Sequence, residues 1–442
     1  MIIKNKTLEK IASAVFLIIL IIAADRILTY MLEPMTRADY FRHDMEEMEK
    51  TGNYPDMIIV GNSRSVHGFN PLVFESDLGL NNVYNASVVG QQISSKYYIA
   101  EAMINAFHPK IVLFDTEWQS LNEFGDTRTQ AKLLGLDRLT GISKIRYIFD
   151  AFSFSEMIYA FCKPYRFRDN LFHEGTVAGN LKLKNWLRDT HYSENYYSTI
   201  KGYDKGDACS AEPFRIGTYG TFNEDDISAK SKDYLDRIVK LCKDRNISLF
   251  LVTPPISTMM QMNIGNYEEA NDYYLSYAEE NGISYHNLNM LKNRDEIFND
   301  SLFFHEGHLC ESGATAASHI YAEIIQDELD GIDTKDRFYH SIDEMLSDIS
   351  RIVAVGAEVK AENGTLIITD LKYSAGKDAD IIFEIQLSSD GKNYETKAVV
   401  TPPDNSIDIP IGDVTGRIYV KIIADDTRGG SGTYAGYIVK AE

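Results

Sequence analysis

The sequence predicts an α/β domain built on a parallel sheet, preceded by a membrane anchor and followed by a small all-β sandwich. Three observations predict this architecture. Apolar β-branched runs alternate with helical patterns over the first three quarters of the 442 residues. A long apolar segment lies near the N-terminus, and short strand-like runs separated by turn residues follow residue 340.

The N-terminal segment, residues 1–32, is predicted to be a single membrane anchor. Three lysines precede an uninterrupted apolar run at 11–24, and after Asp25 and Arg26 the run resumes as far as Leu32. The stretch 11–32 reaches the roughly 20 residues that cross a bilayer. The basic residues in front predict that the N-terminus stays inside and the rest of the chain lies outside. A cleaved signal peptide is the alternative.

A charged helical connector is predicted at 33–54, and the α/β domain at 55–335. Its five strands are predicted at 56–61, 82–85, 110–115, 248–253 and 284–288. Helical patterns lie between or after them, at 94–107, 224–245, 266–282 and 311–330. The stretch from about 120 to 222 lacks this alternation, which indicates a helical insertion that either caps a site or packs at the periphery.

The C-terminal segment, 340–442, is predicted to be an all-β sandwich. Its strand-like runs are short, and Asp390-Gly391 is a strong hairpin signal. Its tyrosines could stack on sugar rings, but the segment contains no tryptophan, and a spacer or protein-docking module is the alternative.

Composition excludes several classes of protein. The 44 Lys and Arg against 65 Asp and Glu give a net charge of −21, which argues against nucleic-acid binding because phosphates need a cationic face. Four cysteines are too few for a disulfide framework, and no CxxC pair exists for a zinc ribbon or a thioredoxin-type site. The four cysteines could include one disulfide, if the chain lies outside the cytoplasm, or could all be buried free thiols.

The first candidate for chemistry is the junction Gly61-Asn62-Ser63-Arg64-Ser65. A serine directly after a buried parallel strand sits at the carboxyl edge of the sheet, where open α/β folds bind ligands. The backbone N–H groups that open the next helix favour a developing oxyanion. A helix N-cap without catalytic function is the alternative for this junction.

The second candidate is His305-Glu306-Gly307-His308-Leu309, just before the last helix of the α/β domain. A histidine there could act as the general base for a nucleophile at the end of the first strand, and a structural histidine is the alternative. A zinc site of His305, Glu306, His308 and Cys310 is disfavoured, because the zincin spacing of two histidines at i and i+4 is absent. No metal and no cofactor are therefore expected.

Together the two pieces resemble the SGNH hydrolase superfamily. Its Gly-Asp-Ser block is similar to Gly61-Asn62-Ser63, with Asn in place of Asp, and its second block, a glycine after strand two, is similar to the segment ending at Gly90. Its last block, Asp-x-x-His followed by Leu and Gly-Ala, is similar to the segment from His305 through His308 to Gly313-Ala314. The resemblance covers roughly residues 55–330 and implies a three-layer SGNH-like fold.

Two departures from the family pattern affect the predicted site. His305 occupies the position of the triad Asp, so Asp300 or Glu306 could substitute, or a Ser–His dyad could operate. The third block, with its oxyanion-hole Asn, is replaced by Asp115-Thr116-Glu117-Trp118. The resemblance then implies an oxyanion hole made of the Ser63 and Gly90 amides.

The resemblance is closest to the membrane-anchored envelope proteins of this superfamily, which include D-alanyl-lipoteichoic-acid transfer proteins and polysaccharide O-acetylation partners. The shared features are the single anchor, the Gly-x-Ser-Arg-like first block and Thr253-Pro254-Pro255. It implies an extracytoplasmic acyl (acetyl) esterase or transferase that acts on a cell-envelope glycopolymer, with Ser63 as nucleophile and His308 as base. Substrate contacts are expected at Asn62, Arg64, Asp115, Glu117 and Trp118.

The implied partner is a membrane-bound O-acyltransferase, and nucleic acid is not expected as a partner. The alternative function is a non-catalytic assembly protein of the same fold. Such a protein would bind a glycan or the acyltransferase, and the missing triad Asp and the missing third-block Asn would then need no replacement.

Overall fold

The computed structural model describes residues 2–121, 128–195, 198–210, 219–297, 299–348, 352, 354–376, 379–402, 406–412, 415–428 and 433–441. Its first element is helix α1 (Ile2–Leu32). Within Leu8–Leu32 an 18-residue stretch has a mean hydropathy of 2.4 and no buried residue, so the helix is long and apolar enough to cross a membrane. Among the described residues it is the one helix with these properties.

The predicted connector is helix α2 (Arg37–Thr51). Thr36 and Asp39 form a capping box at its start, and Gly52 ends it at φ +70°. Its side chains Phe41 and Met48 join the core of the α/β domain. The connector is therefore packed against the domain and does not stand apart as a free stalk.

Five parallel strands form the central sheet, in the order β2-β1-β3-β4-β5. The strands are β1 (Met57–Val60), β2 (Val83–Asn85), β3 (Ile111–Asp115), β4 (Ser248–Thr253) and β5 (Ser284–Asn287). Each lies where the sequence predicts it, so the predicted α/β class with a parallel sheet is confirmed. A parallel sheet needs cover on both faces, which explains why β1, β3 and β4 are almost continuously apolar.

Helices cover both faces and complete three layers. Between the first strands lie α3 (Ser63–Gly68), α4 (Pro71–Leu78) and α5 (Ile93–Phe107). Ile58 and Val60 of β1 enter the core cluster beneath α5, whereas Met57 and Ile59 enter the cluster on the opposite face. Because side chains alternate along a strand, one short strand supplies both cores.

The insertion between β3 and β4 is helical, as predicted. Its helices are α6 (Arg128–Leu136), α7 (Gly141–Ala151), α8 (Met157–Phe161), α9 (Lys163–Arg166) and α10 (Thr176–Arg188). Helices α6 and α7 pack on α5, whereas α9 and α10 contact the end of α1. The insertion therefore connects α1 with the α/β domain.

The rest of the α/β domain follows the insertion. Its helices are α11 (Ala229–Asp244), α12 (Thr258–Met262), α13 (Tyr267–Asn281), α14 (Arg294–Ile297), α15 (Glu311–Leu329) and the terminal α16 (Ile342–Asp348). A two-stranded hairpin, β6 (Phe303–His305) and β7 (His308–Leu309), precedes α15.

The C-terminal domain consists of two antiparallel sheets around a core of their own. The strands are β8 (Ala354–Glu362), β9 (Thr365–Ser374), β10 (Ile381–Ser388), β11 (Glu395–Val400), β12 (Ile407–Pro410), β13 (Gly416–Asp426) and β14 (Thr433–Ala441). The predicted all-β character is confirmed, and the sandwich begins at Ala354, after α16. It contacts α12 through β8 and β9, and Lys372 Nζ donates to Asn263 Oδ1 at 2.8 Å.

Candidate active site

The candidate nucleophile, Ser63, is the first residue of α3 and follows the end of β1 by three residues. The side chain of Asn62 caps the helix by accepting from the Arg64 N–H at 2.9 Å. A side chain at Gly61 would bring a Cβ within 2.3 Å of Ser65 Oγ and 2.6 Å of Asp115 Cβ. Only glycine fits this turn, which places Ser63 at the carboxyl edge of the sheet.

The candidate base, His308, comes from β7 and reaches this edge from the other side. Its Nε2 lies 2.8 Å from Ser63 Oγ. Its ring stacks on Phe304 and lies edge-on to His67, with centroid distances of 5.7 and 5.3 Å. Burial, together with the nearby charges of His67, Arg64 and His305, lowers the pKa of His308 to about 3. At neutral pH the imidazole is therefore uncharged and can accept the Ser63 proton.

The three residues predicted as orienters of His308 have other partners. Asp300 caps α12 by accepting from the Thr258 N–H at 2.7 Å, and Glu306 pairs with His305 Nε2 at 2.9 Å. In the part of the chain that the structure describes, Nδ1 of His308 has no hydrogen-bond partner. The geometry is that of a Ser–His dyad, because the Glu306 carboxylate, in the turn of the hairpin, faces His305 and the Tyr219 hydroxyl.

The two amides predicted to form an oxyanion hole lie on neighbouring loops. The Ser63 N–H, at the first position of α3, has no acceptor within the helix. Gly90, at φ +69°, follows β2 in a loop that the Val88 N–H fastens to the Gly61 carbonyl at 3.0 Å. Asn85 Nδ2 adds a hydrogen bond of 2.7 Å to the Ser65 carbonyl. Ser63 and Gly90 both line the same cleft.

Four charged side chains form a buried network behind Ser63, and we call them the charge quartet: Arg64, Lys96, Asp115 and Glu117. Arg64 Nη1 lies 3.4 Å from Glu117 Oε1, and Lys96 Nζ lies 3.4 Å from Asp115 Oδ1. Burial lowers the pKa of Lys96 and raises the pKa of Glu117. Two cations face two anions, so the pairing offsets the cost of burial.

The two carboxylates of the charge quartet, Asp115 and Glu117, have different roles. Asp115 does not line the cleft and instead supports the loop, accepting from Ser65 Oγ at 2.8 Å and the Asn62 N–H at 3.1 Å. Glu117 lines the cleft and accepts from Asn62 Nδ2 at 3.2 Å. The predicted substrate contact at Asp115 is thus replaced by a supporting role, because that side chain points under α3.

The cleft beside Ser63 and His308 has a volume of about 750 Å³. Asn62, Arg64 and Trp118 line it as predicted, and His305 lies at its wall. Side chains that the sequence prediction missed also line it: Gln91, Gln92, Gln119, Tyr219, Thr221, Asp226 and Met260. Gln91 and Gln92 follow Gly90 directly. Because Gly90 was predicted to lie at the site, its neighbours in the loop after β2 could have been predicted there as well.

Several polar atoms at this wall are buried without a partner. They are the amide oxygen and nitrogen of Gln91, Gln92 Oε1 and Trp118 Nε1, as judged over the described residues. Buried polar groups are normally hydrogen-bonded, so these atoms, which are not exposed to the cleft, indicate positions for ordered water.

No family model matches the sequence, and no curated relative matches it. Solved structures similar to the chain include one described as an acylhydrolase from Bacteroides fragilis, at 11% identity, 64% of this chain, 94% of that chain and a TM-score of 0.32. Another is described as a lipolytic protein of the G-D-S-L family from Desulfitobacterium hafniense, at 11% identity, 61% and 98% coverage and a TM-score of 0.30.

A third similar structure is described as a GDSL-like lipase from Bacteroides thetaiotaomicron, at 11% identity, 66% and 99% coverage and a TM-score of 0.31. All three are thus described with acylhydrolase or lipase terms, GDSL being another name for the SGNH superfamily. Similarity at this level carries no argument about activity, and the function therefore has to be argued from the geometry.

Cys310 forms a disulfide with Cys209, which fastens the last part of the insertion to the start of α15. This pairing removes Cys310 from the zinc site considered above. Over the described residues, no group of three or more His, Cys, Asp and Glu side chains is arranged to hold a metal ion. The other two cysteines, Cys162 and Cys242, are free thiols.

Proposed function

We propose that the protein is an SGNH-like serine esterase or acyltransferase that acts outside the cytoplasm. The observation that carries this proposal is the 2.8 Å contact between His308 Nε2 and Ser63 Oγ at the carboxyl edge of the parallel sheet. Nucleophile and base lie at hydrogen-bond distance, and the nucleophile is the first residue of a helix. This combination is the minimum that serine acyl transfer requires.

The geometry supports a two-step reaction. Ser63 Oγ attacks the acyl carbonyl carbon while His308 Nε2 takes the hydroxyl proton, and the amides of Ser63 and Gly90 hold the oxyanion. His308 then gives the proton to the leaving alkoxide oxygen as the ester bond breaks and acyl-Ser63 remains. In the second step, water or a sugar hydroxyl loses its proton to His308 Nε2 and attacks the acyl carbon. The bond between that carbon and Ser63 Oγ then breaks, and His308 returns the proton to Oγ, which releases the acid or the new ester and restores Ser63.

The departures from the family pattern predict a slow enzyme. The dyad lacks a carboxylate to stabilise the imidazolium, and a base with a pKa of about 3 is weaker than the near-neutral optimum. The absent third-block Asn removes one oxyanion donor, which costs about 3 kcal/mol in the transition state. Slow hydrolysis would leave the acyl enzyme long-lived. A second substrate that carries a hydroxyl group would then have time to bind and accept the acyl group.

The cleft favours a polyhydroxylated substrate. Gln91, Gln92 and Gln119 line it, and sugar hydroxyls can both donate to and accept from side-chain amides. We therefore propose a cell-envelope glycopolymer as the substrate or acceptor, and an acetyl ester as the simplest acyl donor. Arg64 and Glu117, at the floor of the cleft, are the charged groups that this substrate meets.

The proposed location rests on two observations. The segment Leu8–Leu32 is long and apolar enough for a single membrane span, and the pairing of Cys209 with Cys310 is typical of oxidising compartments. On this topology an acyl group that is activated in the cytoplasm reaches the site only by crossing the membrane. A membrane-bound O-acyltransferase is accordingly the partner that we propose.

The decisive experiment is active-site labelling. A serine-directed phosphonate and an activated acetyl ester are each incubated with the full chain, and the intact mass is measured. We expect one adduct on the wild type, none on Ser63→Ala and strongly reduced labelling of His308→Gln. Ser276→Ala, an exposed serine on α13, is the matched control and should label normally. An adduct that persists in Ser63→Ala would end the assignment.

The second candidate function is a non-catalytic assembly or glycan-binding protein of the same fold. It is favoured by one observation, namely that Nδ1 of His308 contacts no carboxylate among the described residues. Glycan acylation in cells separates the two candidates. Loss of acylation with Ser63→Ala supports the enzyme, whereas unchanged acylation supports the assembly protein.

A further inference from the structure

The helical insertion carries an unusual density of exposed apolar side chains. We call them the apolar patch: Ile142, Ile145, Phe149, Phe154, Ile158, Phe161, Tyr165, Leu171 and Phe172. Phe154 and Phe172 are 92% and 83% exposed. Apolar residues scattered singly over a surface need no explanation, but a set concentrated in 31 residues marks an interaction surface.

The same segment differs in charge from the rest of the chain. Residues 141–188 contain eight Lys and Arg and four Asp and Glu, a net charge of +4, whereas the whole chain carries −21. Basic and aromatic side chains are also interleaved, since Arg168 lies over the Tyr165 ring at 4.3 Å. Apolar, aromatic and basic groups on one helical surface are the composition of helices that lie in a membrane interface.

Direct contacts join this segment to the end of α1. Asn170 Nδ2 donates to the Leu32 carbonyl at 2.8 Å, and Lys184 Nζ donates to the Tyr30 carbonyl at 2.8 Å. Lys163 forms an ion pair with Glu33. The last carbonyls of α1 lack N–H donors within the helix, so Asn170 and Lys184 satisfy the helix end and fix its position against the insertion.

The apolar patch lies beside these contacts. Leu171 and Phe172 follow Asn170 directly, and Phe161 precedes Lys163 by two residues. Phe149 packs on Phe161, with ring centroids 6.0 Å apart, which extends the patch to α7. The patch is thus continuous with the place where the apolar part of α1 ends.

We propose that this face of the insertion lies in the headgroup region of the lipid bilayer around α1. The inference rests on the membrane anchoring proposed above and goes beyond it, because the patch is a second, separate membrane contact. Continuity with α1 and the local positive charge, which suits anionic lipids, favour a bilayer over a protein partner. The α/β domain would then be held at a fixed orientation to the membrane.

Fluorescence quenching tests the proposal on the full chain. The protein is reconstituted into liposomes of phosphatidylglycerol and phosphatidylcholine whose acyl chains are brominated near the headgroup end in one set, for the patch, and near the middle of the bilayer in a second set, for α1. Tryptophan is added singly at the patch, as Phe154→Trp or Phe172→Trp. Ile18→Trp in α1 reports anchoring, and Tyr373→Trp in the sandwich is the exposed control outside the patch. Trp118 and Trp186 give the same background in every variant.

We expect the added fluorescence of both patch variants and of Ile18→Trp to be quenched at least about twofold more than that of Tyr373→Trp. Unquenched patch variants beside a quenched Ile18→Trp would overturn the proposal and leave the anchor intact. Unquenched Ile18→Trp would overturn the anchor and the patch together, without bearing on Ser63 chemistry. Unquenched patch variants with a cross-linked dimer would assign the face to a second copy and also overturn the proposal. Unfolding midpoints equal to wild type verify that each variant is folded.

Discussion

The hydrogen bond between His308 and Ser63 joins side chains that are 245 residues apart. Each is placed by its own element, Ser63 by the turn after β1 and His308 by the hairpin before α15. His308 sits among Phe304, His67 and His305, without a carboxylate neighbour among the described residues. The chemistry of the site therefore depends on an imidazole that is held neutral.

This neutral imidazole predicts an unusual pH profile. A group whose pKa is lowered to about 3 keeps its base-competent form until the pH falls close to that value. We expect kcat/KM for an activated ester to stay nearly constant over roughly pH 5 to 8, since the free enzyme's base remains neutral there. Enzyme incubated at each pH and assayed at neutral pH controls for denaturation. A rate that halves near the ordinary histidine pKa of about 6.5 would contradict this.

The buried lysine of the charge quartet predicts a large effect on stability. Lys96→Met leaves Asp115 without its cation, and breaking a buried pair on one side costs about 3–5 kcal/mol. The free energy of unfolding, measured by urea titration, should fall by that amount. Lys110→Met is the matched control, because its pair with Asp56 is exposed on the lysine side and is worth about 1 kcal/mol or less. Equal effects of the two substitutions would refute the role of burial.

At the residue scale, the sequence allowed some of the site to be predicted. Ser63 follows the end of a predicted strand, and His308 lies in a loop with a second histidine. Both are local patterns that the sequence shows directly. Lys96 was missed because it is a lone charge in a helical pattern, although it shares a face with the apolar Ala100 and Met103 at i+4 and i+7. The partners of Asp300 and Glu306 depend on side-chain directions in a turn, which no sequence period encodes.

At the element scale, the strands were the most predictable part of the fold. β1, β3 and β4 are apolar runs because both faces of a parallel sheet are covered, and that constraint is visible in sequence. The packing of the insertion was not predictable in the same way. Helices α7 to α10 bury few of their residues, and the insertion is held by α5 and by the end of α1, which are tertiary contacts.

The disulfide between Cys209 and Cys310 predicts a coupling between the insertion and the base. It closes a loop of 101 residues, and Cys310 lies two residues after His308. Replacing both cysteines by serine should lower the free energy of unfolding by about 2–5 kcal/mol and reduce turnover. Cys162→Ser is the control, because that thiol is unpaired. Dithiothreitol should reproduce the effect in Cys162→Ser and leave the double variant unchanged, and a wild type indifferent to dithiothreitol would argue against the coupling.

At the scale of the whole molecule, the order of parts is helix α1, a packed connector, the α/β domain with its insertion, and the sandwich. The connector was predicted as a charged helix, but its packing against the core was not predicted. The few apolar residues that make this contact, such as Phe41 and Met48, lie among many charged ones. The sandwich contacts α12 directly, beside Met260 of the cleft wall. Such contacts between domains leave no periodic signal in the sequence.

The lysines at the start of α1 predict how the chain is oriented across the membrane. The lysines before residue 11 should stay in the cytoplasm and everything after about residue 33 should lie outside. Protease added to intact protoplasts should therefore remove the bulk of the chain, and a cytoplasmic marker protein should stay intact. Full protection of the chain would reverse the orientation and remove the basis for an envelope substrate.

The junction at Leu32 has a consequence for which polymers can react. Because Asn170 and Lys184 hold the end of α1, the proposed membrane span would keep Ser63 at one height above the bilayer. Acyl transfer would then take place only within a thin layer at that distance from the bilayer surface. A long polymer growing out of the membrane would pass this layer segment by segment, and its modification density would reflect how fast it is extruded.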